Sequence, residues 1–131
     1  MARYAYPAIF TPEEKGRYSV YFPDLDGCYT CGDDINDALF MGEDALAMTL
    51  YNYENEDKTI PKASSFDDIS LNEGEFVNYI ACDTLKYRKQ HNSKAIKKTL
   101  TIPEWLNNAA IEKNVNFSKV LQDALIDIVS A

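Results

Sequence analysis

The stretch KKTLTIPEWLNNAAIEKNVNFSKVLQDALIDI, Lys97 to Ile128, places a short alternating segment ahead of two apolar-periodic ones. Lys98, Leu100 and Ile102 fall on one face of an extended strand and Lys97, Thr99 and Thr101 on the other, because strand side chains alternate. One face is mostly apolar and the other wholly polar. Pro103 suits the first turn of a helix, where its missing N–H has no intrahelical partner to lose. Trp105, Leu106, Ala109 and Ala110 mark that helix's inner face. Asn114, which tolerates left-handed geometry, marks its end, and Asn116 or Ser118 suits the N-cap of the next helix. Phe117, Val120, Leu121, Ala124, Leu125 and Ile128 then recur at i, i+3, i+4, i+7, i+8 and i+11, a helical stripe. The spacing predicts one strand followed by two helices.

A unit this short cannot bury such stripes alone, since chains below about 40 residues rarely fold without a metal, disulfides or a partner. A second copy solves the problem: two strands pair antiparallel, four helices pack beneath, and the polar strand faces emerge as one ribbon. This order resembles the ribbon-helix-helix family of DNA-binding proteins, whose paired strands enter the major groove and read base edges with alternate residues. The resemblance implies that Lys97, Thr99 and Thr101 read bases, Lys by donating to guanine and Thr by bonding a base or touching a thymine methyl. It also implies that the amides at Asn116, Phe117 and Ser118 hold a phosphate. The triplet lacks the Arg, Asn or Gln that bonds a base twice, which predicts low specificity per half-site. A merely solvated strand face would explain the polar residues, but not the whole strand, proline, helix, turn, helix order.

At 131 residues, 46% hydrophobic and 12% aromatic, the chain suffices for one ordinary domain or two small ones with a real core. No apolar run approaches the ~18 residues of a membrane span, and Met1 to Pro7 lacks a signal peptide's apolar segment, so a cytoplasmic protein is expected. Three cysteines, an odd number, argue against a closed disulfide framework. Cys28 and Cys31 form a C-x-x-C, but zinc or redox work needs further ligands or a helix start, and only Cys82 and His91 remain. No metal or cofactor is expected, and His91 has no companion that would make it a base.

The net charge of −8 is unevenly spread: residues 1–93 hold 8 Lys/Arg and 17 Asp/Glu, whereas residues 94–131 hold 5 and 4. An acidic body repels nucleic acid and favours a basic protein surface, while Lys94 to Lys98 is the one locally positive segment.

Taken in order, Arg3 to Phe10 and Arg17 to Phe22 are aromatic-rich and β-prone, with a turn at Thr11 to Gly16 between them. Tyr18, Val20 and Phe22 alternate with Ser19 and Tyr21, so one face is buried. Pro23 ends that strand, Asp24 to Gly27 turns the chain, and Cys28 to Cys31 forms a third strand. Asp34 caps the next helix, with Asp37 in its first turn, and Ile35, Ala38, Leu39, Gly42, Ala45, Leu46, Leu50 and Tyr53 make its stripe. Ile60-Pro61 breaks the helix, Ala63 to Gly74 reads as an exposed loop, and Glu75 to Cys82 as a returning strand. Thr84 to Ser93 has no clear stripe beyond Leu85 and Tyr87 and reads as a short helix or linker. The expected fold class is α+β: a β-β-β-α-β domain over 1–83, a linker over 84–96, and a β-α-α dimerisation domain over 97–131.

Tyr6-Pro-Ala-Ile-Phe10, and above all Phe22-Pro-Asp-Leu-Asp-Gly-Cys-Tyr-Thr-Cys-Gly-Asp33 followed by an Ala-containing helix and a proline, is similar to the HicB antitoxin family. Some members of that family carry a ribbon-helix-helix tail. The resemblance implies a partial RNase H-like or double-stranded-RNA-binding-like first domain that binds HicA, a small basic mRNA-cleaving ribonuclease. It further implies a homodimer joined through the tail, operator DNA as a second partner, and the possibility of higher assembly with toxin. Within that reading the toxin contact is expected at Phe22, Asp24, Asp26, Tyr29 and Asp33, because turns at a sheet edge are accessible. RNase H-like folds cleave with carboxylates and two metals. Here Asp24 and Asp26 have a turn explanation and Asp34 and Asp37 a capping one, so no catalysis is expected. A repressor whose first domain senses a small molecule is the alternative of a different class.

Overall fold

Arg3–Pro12 runs as strand β1, with Tyr6, Ala8 and Phe10 buried on one face, Ala5 exposed and Ile9 half-buried on the other, and Pro7 of that second face buried as well. The computed structural model describes residues 2–130, and the chain divides after Lys94 into two units. In the first, β1 pairs antiparallel with β2 (Tyr18–Tyr21) on one side and β4 (Phe76–Asp83) on the other. Strand β3 (Tyr29–Gly32) pairs with β2, giving the order β3-β2-β1-β4. Helix α1 (Ile35–Asn55) joins β3 to β4, and α2 (Thr84–His91) follows β4. The expected strand and helix order is present, with bounds shifted by one or two residues.

Helix α1 begins where expected. Asp34 accepts from the Asp37 amide at 2.8 Å, and the Asp37 carboxylate accepts in turn from the Asp33 amide at 2.9 Å, so two amides at the helix start are satisfied reciprocally. Its stripe Ala38, Gly42, Leu46 and Leu50 buries against the sheet's Tyr6, Phe10, Val20 and Ile80. Burying each of the larger side chains stabilises the unit by about 1.5–3 kcal/mol. Gly32 lets β3 run into the start of α1, because a Cβ there would stand 2.2 Å from the Ala38 backbone nitrogen.

Two expectations need correction. Residues 84–91 are not linker: Thr84, Tyr87 and Arg88, spaced i, i+3, i+4, turn one face of α2 onto α1. Thr84 is wholly buried, the Tyr87 ring lies 5.2 Å from that of Tyr51, and Arg88 reaches Glu54 at 3.0 Å. Hydrogen bonds and rings make that face, which an apolar stripe search passes over.

In the second unit α3 (Glu104–Glu112) ends at Asn114, whose φ of 56° is the left-handed turn its residue type invites. Helix α4 (Phe117–Ser130) follows, with Asn116 as its cap through a bond from the Lys119 amide to Oδ1 at 3.1 Å. The expected strand over Lys97 to Ile102 is absent. A strand is a hydrogen-bonded ladder, and a single copy of this unit offers no second strand. Neither α3 nor α4 buries a residue, so the Phe117, Val120, Leu125 and Ile128 stripe lies open.

Candidate functional site

Alternation that buries one face of the sheet under α1 decides what the other face carries. Ile9 lies opposite Tyr21 on one side and Val77 on the other, and Tyr21 lies opposite Tyr29. Directly opposed residues share a face, so Tyr29, Tyr21, Ile9 and Val77 form one row across all four strands, on the side away from α1. Tyr79, opposite Pro7, adjoins it. The tyrosines are open to solvent, Tyr29 at 72%, Tyr21 at 47% and Tyr79 at 46%.

The neighbouring row, Thr11, Ser19 and Cys31, is edged with carboxylates. The Thr11 hydroxyl donates to Glu75 at 2.6 Å and the Ser19 hydroxyl to Glu13 at 3.0 Å. Thr11, and after it the Asn72 amide, hold the Glu75 carboxyl below the usual carboxylate range. Arg17 reaches Asp33 at 3.7 Å. The face is thus an aromatic strip with an acidic rim, suited to burying ring area against a cationic partner.

Of the residues expected to touch a protein partner, Tyr29, Asp26 and Asp33 are exposed. Phe22 is not available: it is fully buried, since the alternation that buries Val20 turns Phe22 the same way. Asp24 is half-buried and accepts from both the backbone N–H and the hydroxyl of Ser64, latching the turn after β2 to the segment after α1. Tyr21, Tyr79, Ile9 and Val77 lie outside that expected set. Tyr21 was legible, because it alternates with buried Val20 and Phe22 on a face that must meet something other than the core.

The remaining chemistry is quiet. Cys28 lies in the core and burial pushes its thiol up, with a Thr49 hydrogen bond opposing; Cys82 is pushed up to about 12 by burial, then by Glu43, Asp83 and Glu54. Cys31 is exposed, so the two thiols of the C-x-x-C do not share a site. Among the described residues no group of three or more His, Cys, Asp or Glu is arranged to hold a metal, and no helix is long and apolar enough to cross a membrane.

In the second unit Lys97, Thr99 and Thr101 are exposed in a segment without regular secondary structure. Asn116 and Phe117 open α4 with Ser118 in its first turn, and the Asn116 side chain is already occupied by the Lys119 amide.

A family model described as the HicB-like antitoxin of bacterial toxin–antitoxin systems matches residues 6–126. Antitoxin HicB 1 of Photorhabdus laumondii is 39% identical over 56 residues, which are 43% of this chain and 36% of that protein. A chain of a toxin–antitoxin complex from Streptococcus pneumoniae is 30% identical with a TM-score of 0.62, over 95% of this chain and 98% of that one. A chain of a HicA3 and HicB3 toxin–antitoxin complex is 28% identical with a TM-score of 0.51, over 61% and 99%.

Proposed function

Since this chain belongs to the HicB-like antitoxin family of bacterial toxin–antitoxin systems, we propose that it neutralises a HicA-type toxin through the open sheet face of its first unit. The observation that carries this reading is the tyrosine row, three exposed rings on a unit whose charge is strongly negative. Tyrosines supply large, stiff contact area and are enriched among residues that dominate interfaces. The acidic rim steers a basic ribonuclease toward them. Similarity to a chain from a HicA3 and HicB3 complex supports the same partner. The test is inhibition of the toxin's RNA cleavage by the full chain, compared with Tyr21→Ala/Tyr29→Ala. The double substitution is expected to weaken inhibition at least thirtyfold, about 2 kcal/mol, with unchanged circular dichroism. Undiminished inhibition would move the contact elsewhere.

The first unit, read as a partial RNase H-like or double-stranded-RNA-binding-like scaffold, acts by binding and not by catalysis. Asp24 is engaged by Ser64, and Asp34 and Asp37 by the start of α1, so these carboxylates serve the fold. The chain is expected to give no metal-dependent cleavage of RNA. Turnover that disappears in Asp24→Asn would overturn that.

The second unit is proposed to form a ribbon-helix-helix dimer that holds operator DNA and represses its own operon, in the cytoplasm. The uncovered stripes of α3 and α4 support this, because only a partner can remove that apolar area from water. Two copies would supply each other's missing strand and raise Lys97, Thr99 and Thr101 together into the major groove.

A further inference from the structure

The segment between α1 and β4 adds a wall to the tyrosine face. Tyr79 lies opposite Pro7 on the side away from α1, and its hydroxyl accepts from the Phe66 amide at 3.1 Å. Two residues before Phe66, Ser64 is latched to Asp24 through both its amide and its hydroxyl. Between and beyond these ties the chain is set by its own bonds. The Ser65 hydroxyl accepts from the Asp67 amide at 3.4 Å, and the Asp68 amide donates to the Ser65 carbonyl at 3.0 Å, closing the single helical turn Phe66–Asp68. Lys62, Ala63, Ser64, Ser65, Asp68 and Tyr79 line an open hollow of about 640 Å³ beside the tyrosine row. That is room for a whole side chain and not only for a water.

We infer that this hollow anchors one arginine side chain of the toxin, with its guanidinium on the Tyr79 ring and its N–H groups donating to the Asp68 carboxylate. This rests on the toxin-binding reading and names what one part of that face holds. The face of an aromatic ring attracts a cation, and a planar guanidinium stacks on it where an ammonium cannot. Strand pairing at one end and the Phe66 amide at the other fix the Tyr79 ring, so little freedom is lost when it is covered. A carboxylate accepts two parallel N–H groups of a guanidinium in one plane. Asp68 is exposed, and among the described residues nothing pairs with its carboxylate. Lys62 is the hollow's one cation, and its ammonium can swing into water on a flexible stem. From Lys62 to Glu75 that single Lys stands against Asp67, Asp68, Glu73 and Glu75, so the segment draws a basic partner in cation first.

Rates separate an anchor from a steering charge, because a pair covered in the complex governs release while a charge left at the rim governs encounter. Association and dissociation of a HicA-type toxin on the immobilised full chain are measured for the wild type, Asp68→Asn, Asp67→Asn and Lys62→Gln. Asp68→Asn is expected to raise the dissociation rate about tenfold and to change the association rate by less than about twofold, with its circular dichroism unchanged. Asp67→Asn removes the same charge one position away, outside the hollow, and is expected to leave the dissociation rate at the wild-type value. Lys62→Gln is expected not to raise it. Equal rises in Asp68→Asn and Asp67→Asn overturn the inference, because the position facing the hollow then has no special role. Faster release in Lys62→Gln with none in Asp68→Asn overturns it too, by showing that the hollow takes an anion. Wild-type release in Asp68→Asn, with binding still weakened in Tyr21→Ala/Tyr29→Ala, overturns the anchor and leaves the toxin-binding reading in place. Wild-type chain that does not bind the toxin overturns that reading, and this inference with it.

Discussion

Glu54 ties three elements together, and replacing it with Gln tests how the first unit is held. From the end of α1 its carboxylate accepts from the Tyr4 hydroxyl of β1 at 2.9 Å and from Arg88 of α2 at 3.0 Å. The Thr84 hydroxyl lies 3.0 Å from it and 3.0 Å from the Ala2 carbonyl, so its single proton serves one acceptor at a time. Burial by itself pushes the Glu54 carboxyl up, but hydrogen bonds including those from Arg88, Tyr4 and Thr84 outweigh it and hold the group at about 2, against an ordinary 4.5. Tyr4 shifts the opposite way, to about 12, through burial and then Glu54. A depressed carboxylate contributes stability that is fully present above the ordinary value and is lost as pH falls from 4.5 through 2. A gap of that size corresponds to about 3 kcal/mol. The side chains of Glu54 and Arg88 are only 10% and 19% exposed, so water screens the pair little, and the Arg88 guanidinium donates besides only to Asn55 Oδ1 at 3.0 Å, its buried Nε making no hydrogen bond. Glu54→Gln should therefore lower unfolding free energy at neutral pH by about 3 kcal/mol. It should also flatten the acid limb between pH 4.5 and 2. Urea titrations at several pH values measure both. A variant within about 0.5 kcal/mol of the wild type, with the same acid limb, would refute the reasoning.

Gly32→Ala should destabilise the first unit by about 1–3 kcal/mol, read as a lowered thermal midpoint, because the added methyl meets the Ala38 backbone and not a side chain that can swing away. Lys97→Ala and Thr99→Ala should weaken operator binding in a gel-shift assay and leave toxin inhibition intact; unchanged binding removes the ribbon assignment. Leu121→Asp should abolish the dimer by size-exclusion chromatography, and DNA binding with it, since a charge buried without a partner is costly. A stable, DNA-competent Leu121→Asp dimer would show that α4 faces its partner differently.

Local signals carried most of the first unit. Asp34 with Asp37, the Ala38 to Leu50 stripe and the two-residue alternation each have a cause within a few residues, and each appears in the structure. The tyrosine face did not emerge as a unit because it depends on β4 pairing with β1 across some 70 residues of chain, a register that no local pattern states. Phe22 was misassigned for a related reason: it adjoins an accessible turn, yet strand alternation sends it inward. In α2 the face that docks is made of Thr84, Tyr87 and Arg88, and polar docking leaves no apolar period to detect. The second unit reverses the lesson. Its stripes were plain in sequence, and neither α3 nor α4 buries a residue.

The most direct test of the antitoxin reading is growth rescue. A HicA-type toxin is induced alone, then together with the full chain, then with Tyr21→Ala/Tyr29→Ala, while antitoxin levels are matched by immunoblot. Wild-type chain should restore growth and the double variant should fail to. Toxicity that the wild-type chain leaves unrelieved would contradict neutralisation, and full rescue by the double variant would contradict the tyrosine face as its means.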